Sequence, residues 1–96
     1  KTIVSQIVRA LSGAGVTWVM KTHGSAYQRS GVPDLLAIAP KTGRLVGIEV
    51  KRPRLGRPTE LQLRQIDRIN AAGGVAGIAT NVEEALALVR RAEEER

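Results

Sequence analysis

Two apolar runs, "DLLAIA" from Asp34 to Ala39 and "RLVGIEV" from Arg44 to Val50, flank the tetrapeptide "PKTG". Each run is too short for a globular helix, and the Pro and Gly between them suit a turn, so the stretch is predicted to be an antiparallel hairpin. A hairpin alone cannot bury itself, so the rest of the chain must supply strands to extend it and helices to cover it.

The flanking segments answer that need. Ile3, Val4, Ile7, Val8 and Leu11 recur at helical spacing and predict an amphipathic helix ending near Gly13 or Gly15. "VTWVMKT", Val16 to Thr22, is rich in β-branched residues and predicts a strand, with Trp18 in the core, followed by an exposed basic loop over Lys21 to Gly31. "RPRLGRP", with two prolines and three arginines, reads as a second basic loop. "TELQLRQIDRINAAG" predicts a helix with Thr59 as N-cap, Leu61, Ile66 and Ile69 facing inward, and Gly73 as its stop. "VAGIA" reads as a short buried strand, and "NVEEALALVRRAEEER" as a last helix capped by Asn81 with Glu84 three residues on. The order is α-β-β-β-α-β-α, an α/β fold. At 96 residues this is one domain with a modest core, which a dimer interface would help to stabilise.

Side chains alternate along a strand, so Val46, Ile48 and Val50 share one face and Glu49 and Lys51 the other. A surface ion pair is the ordinary reading of such a spacing and contributes roughly 0 to 1 kcal/mol. The neighbouring arm begins at Asp34, however, and can bring a second carboxylate to the same end of the hairpin. Two hard carboxylates suit Mg²⁺ or Mn²⁺, with coordination positions left for water and a phosphate oxygen, and the Val50 carbonyl can complete the set. Such a cation lowers the pKa of its water and offsets charge on phosphorus. Lys51 would position or deprotonate that water, or add positive charge to the transition state.

Charge points to the same class of partner. Residues 1–58 carry ten basic and two acidic side chains, and residues 59–96 five basic and seven acidic, within a net charge of +6. Such an uneven excess suggests a polyanion, although net charge alone also serves solubility. Trp18 and Tyr27 are the only aromatics, too few to stack successive single-stranded bases, so contact to the backbone of duplex or branched DNA fits better. The absence of cysteine excludes disulfides and thiolate zinc sites and predicts an intracellular, soluble protein; no apolar run reaches the length of a membrane span.

Pro33-Asp34 followed by Glu49-Val50-Lys51 resembles the PD-(D/E)xK nuclease signature. The longer stretches "KTHGSAYQRSGVPDLLAI", "GIEVKRP", "TELQ" and "AAGGVAGIATNVEEA" are similar to the virus-type replication-repair nuclease (VRR-NUC) domain over nearly the whole chain, most specifically at Gly31-x-Pro33-Asp34, Glu49-x-Lys51 and Gln62. The resemblance implies a restriction-endonuclease-like core, a mixed sheet flanked by helices. It also implies Mg²⁺- or Mn²⁺-dependent hydrolysis of phosphodiesters in branched DNA, such as Holliday junctions, by a homodimer in a bacterial or phage-infected cytoplasm. Asp34 and Glu49 would be ligands, Lys51 catalytic, and Gln62 would join them from the next helix, orienting a water or the catalytic lysine. Local physics gives Gln62 another role, as the third residue of a Thr59 capping box, and the two are compatible.

One departure stands out. The family implies a glutamate on the first helix that reaches the metal, and residues 1–15 contain no acid; helical register extended backward puts that position just before Lys1. Without it, a module that binds branched DNA without cutting becomes the alternative. Lys21, His23, Tyr27, Arg29, Arg52, Arg54 and Arg57 are candidate DNA contacts, with a solvated surface as the competing reading of each. Gly47 is expected to admit a close neighbour.

Overall fold

The hairpin sits in the middle of a four-stranded sheet. The computed structural model describes residues 2–22, 31–54 and 56–94. Its elements are α1 (Ile3–Gly13), β1 (Val19–Lys21), β2 (Leu35–Ile38), β3 (Leu45–Val50), α2 (Glu60–Ala71), β4 (Val75–Ala79) and α3 (Val82–Glu93), in the expected order. β1, β2 and β3 pair antiparallel, whereas β3 and β4 run parallel with α2 as their crossover. The result is a mixed sheet flanked by helices, as the resemblance implies.

Both faces of β3 are covered. Val46 and Ile48 join Leu35, Ala37, Val75 and Ala79 in a core closed by Ile7 and Leu11 of α1 and by Ala85, Leu88, Val89 and Ala92 of α3. The other face lies under α2, and Gly47 makes that approach possible: a Cβ there would stand 3.1 Å from Pro33 and 3.2 Å from Ile69. Glu49, expected on this face, is therefore buried rather than solvated.

Two expectations fail for a shared reason. The first strand is only Val19–Lys21, and Trp18 is 45% exposed instead of core. β1 is a sheet edge, α2 packs on β3 and β4 instead, and Val16 takes the core position ahead of the strand. Leu61, predicted to face inward, is 49% exposed because it lies in the first turn of α2, while Ile66 further along reaches the core side.

Side chains tie the ends of the elements together. Arg44 donates from Nε to the Gly73 carbonyl at 2.9 Å and from Nη1 to the carbonyls of Arg91 and Glu94 at 3.4 and 3.3 Å. One guanidinium thus serves the C-terminal ends of both α2 and α3. Asn70 both accepts from the Ala76 N–H at 2.9 Å and donates to the Ala76 carbonyl at 3.0 Å, occupying one rung of the outer edge of β4. Gly73 follows the α2 cap residue at φ 104°, a conformation that favours glycine and stops the helix as expected. Asn81 caps α3 by accepting from the Glu84 N–H, but the Glu84 carboxylate turns back to Thr80 instead of to Asn81. Among the described residues no helix is long and apolar enough to cross a membrane.

Candidate active site

Asp34, Glu49 and Lys51 meet at the carboxyl end of β3. The register that pairs Leu35 with Ile48 sets Asp34 opposite Glu49, so their side chains project from the same face. Glu49, 2% exposed, has its Oε2 bound from two sides: the Lys51 Nζ lies 3.4 Å away, and the Gln62 Nε2 donates to it at 2.8 Å. Asp34 Oδ2 accepts the backbone N–H of Val50 at 2.9 Å.

Gln62 caps α2 and also contacts Glu49. Its backbone N–H donates to Thr59 Oγ1 at 3.1 Å, its Oε1 accepts the Thr59 N–H at 2.9 Å, and this capping box starts α2. Because the amide oxygen is committed to the cap, the amide nitrogen is the end that reaches Glu49. Gly31, at φ 86°, packs against that same first turn, where a Cβ would stand 2.5 Å from the Leu61 carbonyl oxygen. Beyond Lys51 the chain curls back through Arg54, at φ 68°, so that Gly56 passes over the lysine stem; a Cβ on Gly56 would lie 3.1 Å from the Lys51 Cβ and Cδ. The side chain of Lys51 is 19% exposed.

The electrostatics of this cluster are unbalanced. Burial, and then the charge of Asp34, push the Glu49 carboxyl above its ordinary value, and Lys51 only partly opposes them. Glu49 Oε1 is buried with no hydrogen-bond partner among the described residues. A buried oxygen without a donor calls for an explanation, and an ion is one. The chemistry fits a divalent cation: two carboxylates lie side by side at one end of the central hairpin, and the buried Glu49 Oε1 has no donor among the described residues. The Val50 carbonyl lies on the same side of β3 as the Val50 N–H, which faces Asp34. Among the described residues no third Asp, Glu, His or Cys joins the pair.

A groove of about 440 Å³, lined by Thr2, Ile3, Val4, Val50, Lys51 and Arg52, brings the first turn of α1 beside the site. This is the helix from which the sequence resemblance implies a further acidic ligand, and its first turn holds none. Lys21, Arg52, Arg54 and Arg57 are exposed as expected. His23, Tyr27 and Arg29 lie outside the described residues. Thr22 escaped the sequence reading. It is 2% exposed, its Oγ1 donates to the Pro33 carbonyl at 2.7 Å and its N–H to the Asp34 carbonyl at 2.9 Å. A threonine ending a predicted strand carries no local signal of such contacts, because they depend on the register of β1 with β2.

A solved structure described as a VRR_NUC domain matches with a TM-score of 0.66 and 27% sequence identity, over 94% of this chain and 97% of that chain. The chain has the fold of a VRR_NUC domain. The agreement extends the likeness read from short motifs to the fold of the chain. No protein-family model matches the sequence, and the comparison with curated proteins finds no match. In this VRR_NUC-like fold the candidate residues occupy the carboxyl end of a strand beside a helix N-terminus, the usual place for ligands in open α/β sheets.

Proposed function

We propose that the protein is a divalent-metal-dependent endonuclease that hydrolyses phosphodiesters in branched DNA, with four-way Holliday junctions as a candidate substrate. The observation that carries the reading is the buried Oε1 of Glu49, beside Asp34 and without a hydrogen-bond partner among the described residues, with Lys51 3.4 Å from the other carboxylate oxygen. Asp34, Glu49 and the Val50 carbonyl would hold Mg²⁺ or Mn²⁺, which supplies an activated water and offsets charge on the phosphoryl group. Lys51 presents its ammonium to the water and the phosphate. Gln62 holds Glu49 in place, its own orientation fixed by the α2 cap. Lys21, Arg52, Arg54 and Arg57 supply positive charge to the DNA backbone; the VRR_NUC-like fold supports a DNA partner.

Paired cuts across a junction call for two sites, so the working form in this reading is a homodimer. Trp18, Leu61 and Leu63 are the exposed large apolar side chains available to its interface among the described residues. Sedimentation that finds only monomer at micromolar concentration would remove this part of the reading.

Labelled four-way junctions and flaps, with and without Mn²⁺, test the activity. Asp34→Ala and Lys51→Ala are each expected to reduce cleavage at least a hundredfold while folding and most DNA affinity remain. Wild-type rates in either variant would refute the assignment. A second reading, binding without cleavage, is favoured by the absence of a third acidic or imidazole ligand among the described residues. It predicts tight, salt-dependent junction binding by the wild-type protein and no product.

A further inference from the structure

The ladder between β2 and β3 stops at the pair Leu35 and Ile48. Ala39 donates to the Arg44 carbonyl at 2.9 Å, and the pairs Ala37 with Val46 and Leu35 with Ile48 follow at two-residue intervals. Hydrogen-bonded pairs alternate in an antiparallel ladder, so the next would join Pro33 to Val50. Pro33 has no N–H to donate to the Val50 carbonyl. Its own carbonyl faces the other way, where it accepts the Thr22 hydroxyl at 2.7 Å. The Val50 N–H, deprived of that acceptor, is taken instead by Asp34 Oδ2 at 2.9 Å.

Thr22 also donates its N–H to the carbonyl of Asp34, so one residue of the β1 side holds two consecutive carbonyls. In a regular strand successive carbonyls point to opposite edges, which explains why β2 begins only at Leu35. Thr22 is buried, so little water is at hand to replace its hydroxyl.

We propose that Thr22 is a positioning residue for the metal site: by holding the Pro33 carbonyl away from β3, its hydroxyl hands the Val50 N–H to the Asp34 carboxylate. Pro33, lacking an N–H, in turn leaves the Val50 carbonyl unclaimed from the β2 side. The inference rests on the metal-site reading above and adds how the two ligand-bearing strands are parted. Removing the hydroxyl frees the Pro33 carbonyl to close the rung. Asp34 then loses its anchor and swings among rotamers beside Glu49.

The test reads the hydrogen bond and the metal separately. In the wild-type protein, NMR should show through-hydrogen-bond coupling from the Val50 amide nitrogen to the side-chain carboxylate carbon of Asp34, and none to the carbonyl carbon of Pro33. In Thr22→Val the coupling should move to Pro33, and affinity for Mn²⁺ alone, measured by calorimetry, should fall roughly tenfold to a hundredfold. Thr22→Ser should restore both. Coupling to Asp34 and wild-type Mn²⁺ affinity retained in Thr22→Val would overturn the proposal. Coupling to the Pro33 carbonyl in the wild-type protein would overturn it even if that variant failed to fold. Wild-type protein that shows the Asp34 coupling but binds no Mn²⁺ would instead remove the metal-site reading, leaving Thr22 as the residue that places Asp34.

Discussion

At the scale of single residues, Glu49 faces burial and a neighbouring Asp34, and the Lys51 ammonium offsets them only in part. Its carboxyl is held above the ordinary range, so the folded state binds the proton more tightly than the unfolded chain does. The associated stability is therefore fully present below the unfolded pKa and lost as pH rises through the folded one. Without metal, the thermal midpoint should thus carry a component that declines as pH rises from the ordinary carboxylate range. Glu49→Gln should lack that component, so the difference between variant and wild type should shift in the variant's favour with rising pH. Melting curves in the presence of a chelator measure it, and a shift of the opposite sign would contradict the account of the buried charge. Asp34, Glu49 and Lys51 were legible as a group in the sequence because the hairpin and strand alternation place side chains without knowledge of the rest of the fold. Thr22 was not, since its partners lie eleven and twelve positions away across a strand pairing that no local pattern specifies.

Among the elements, α2 carries the most responsibility for the site. Its capping box orients Gln62 at one end, and Asn70 at the other meets both backbone groups of Ala76 on the outer edge of β4. Ala76 is buried, so removing the amide leaves a donor and an acceptor poorly satisfied. Asn70→Ala is expected to destabilise the protein by about 1–3 kcal/mol, read from denaturant unfolding, with faster exchange of the Ala76 amide hydrogen. Unchanged exchange would show that the rung is not held as described. The helix ends were readable in advance from Thr59, Gly73 and Asn81, because capping is local chemistry. The length of β1 and the exposure of Trp18 were not, because they depend on which strand becomes the sheet edge and how far α2 reaches across the sheet.

Over the whole molecule the excess positive charge is segregated in residues 1–58, and Lys21, Arg52, Arg54 and Arg57 of that half are exposed. If about four phosphates are neutralised, log affinity for DNA should fall with log salt at a slope near −3.6, roughly a hundredfold between about 50 and 200 mM salt. Arg52→Gln or Arg54→Gln should each lower the slope by about 1 in binding assays without divalent metal. A salt-independent affinity would remove the phosphate contacts from the proposed interface. Period, capping and turn chemistry reach only a few residues along the chain, and they were sufficient for the element order, the central hairpin and the pairing of acids with a lysine at its end. The burial of Glu49 under α2, the orphaned oxygen it leaves, and the opened rung at Pro33 required the packed sheet. Each arises where segments far apart in sequence compete for the same backbone groups and the same small volume, and local preference cannot say which partner wins.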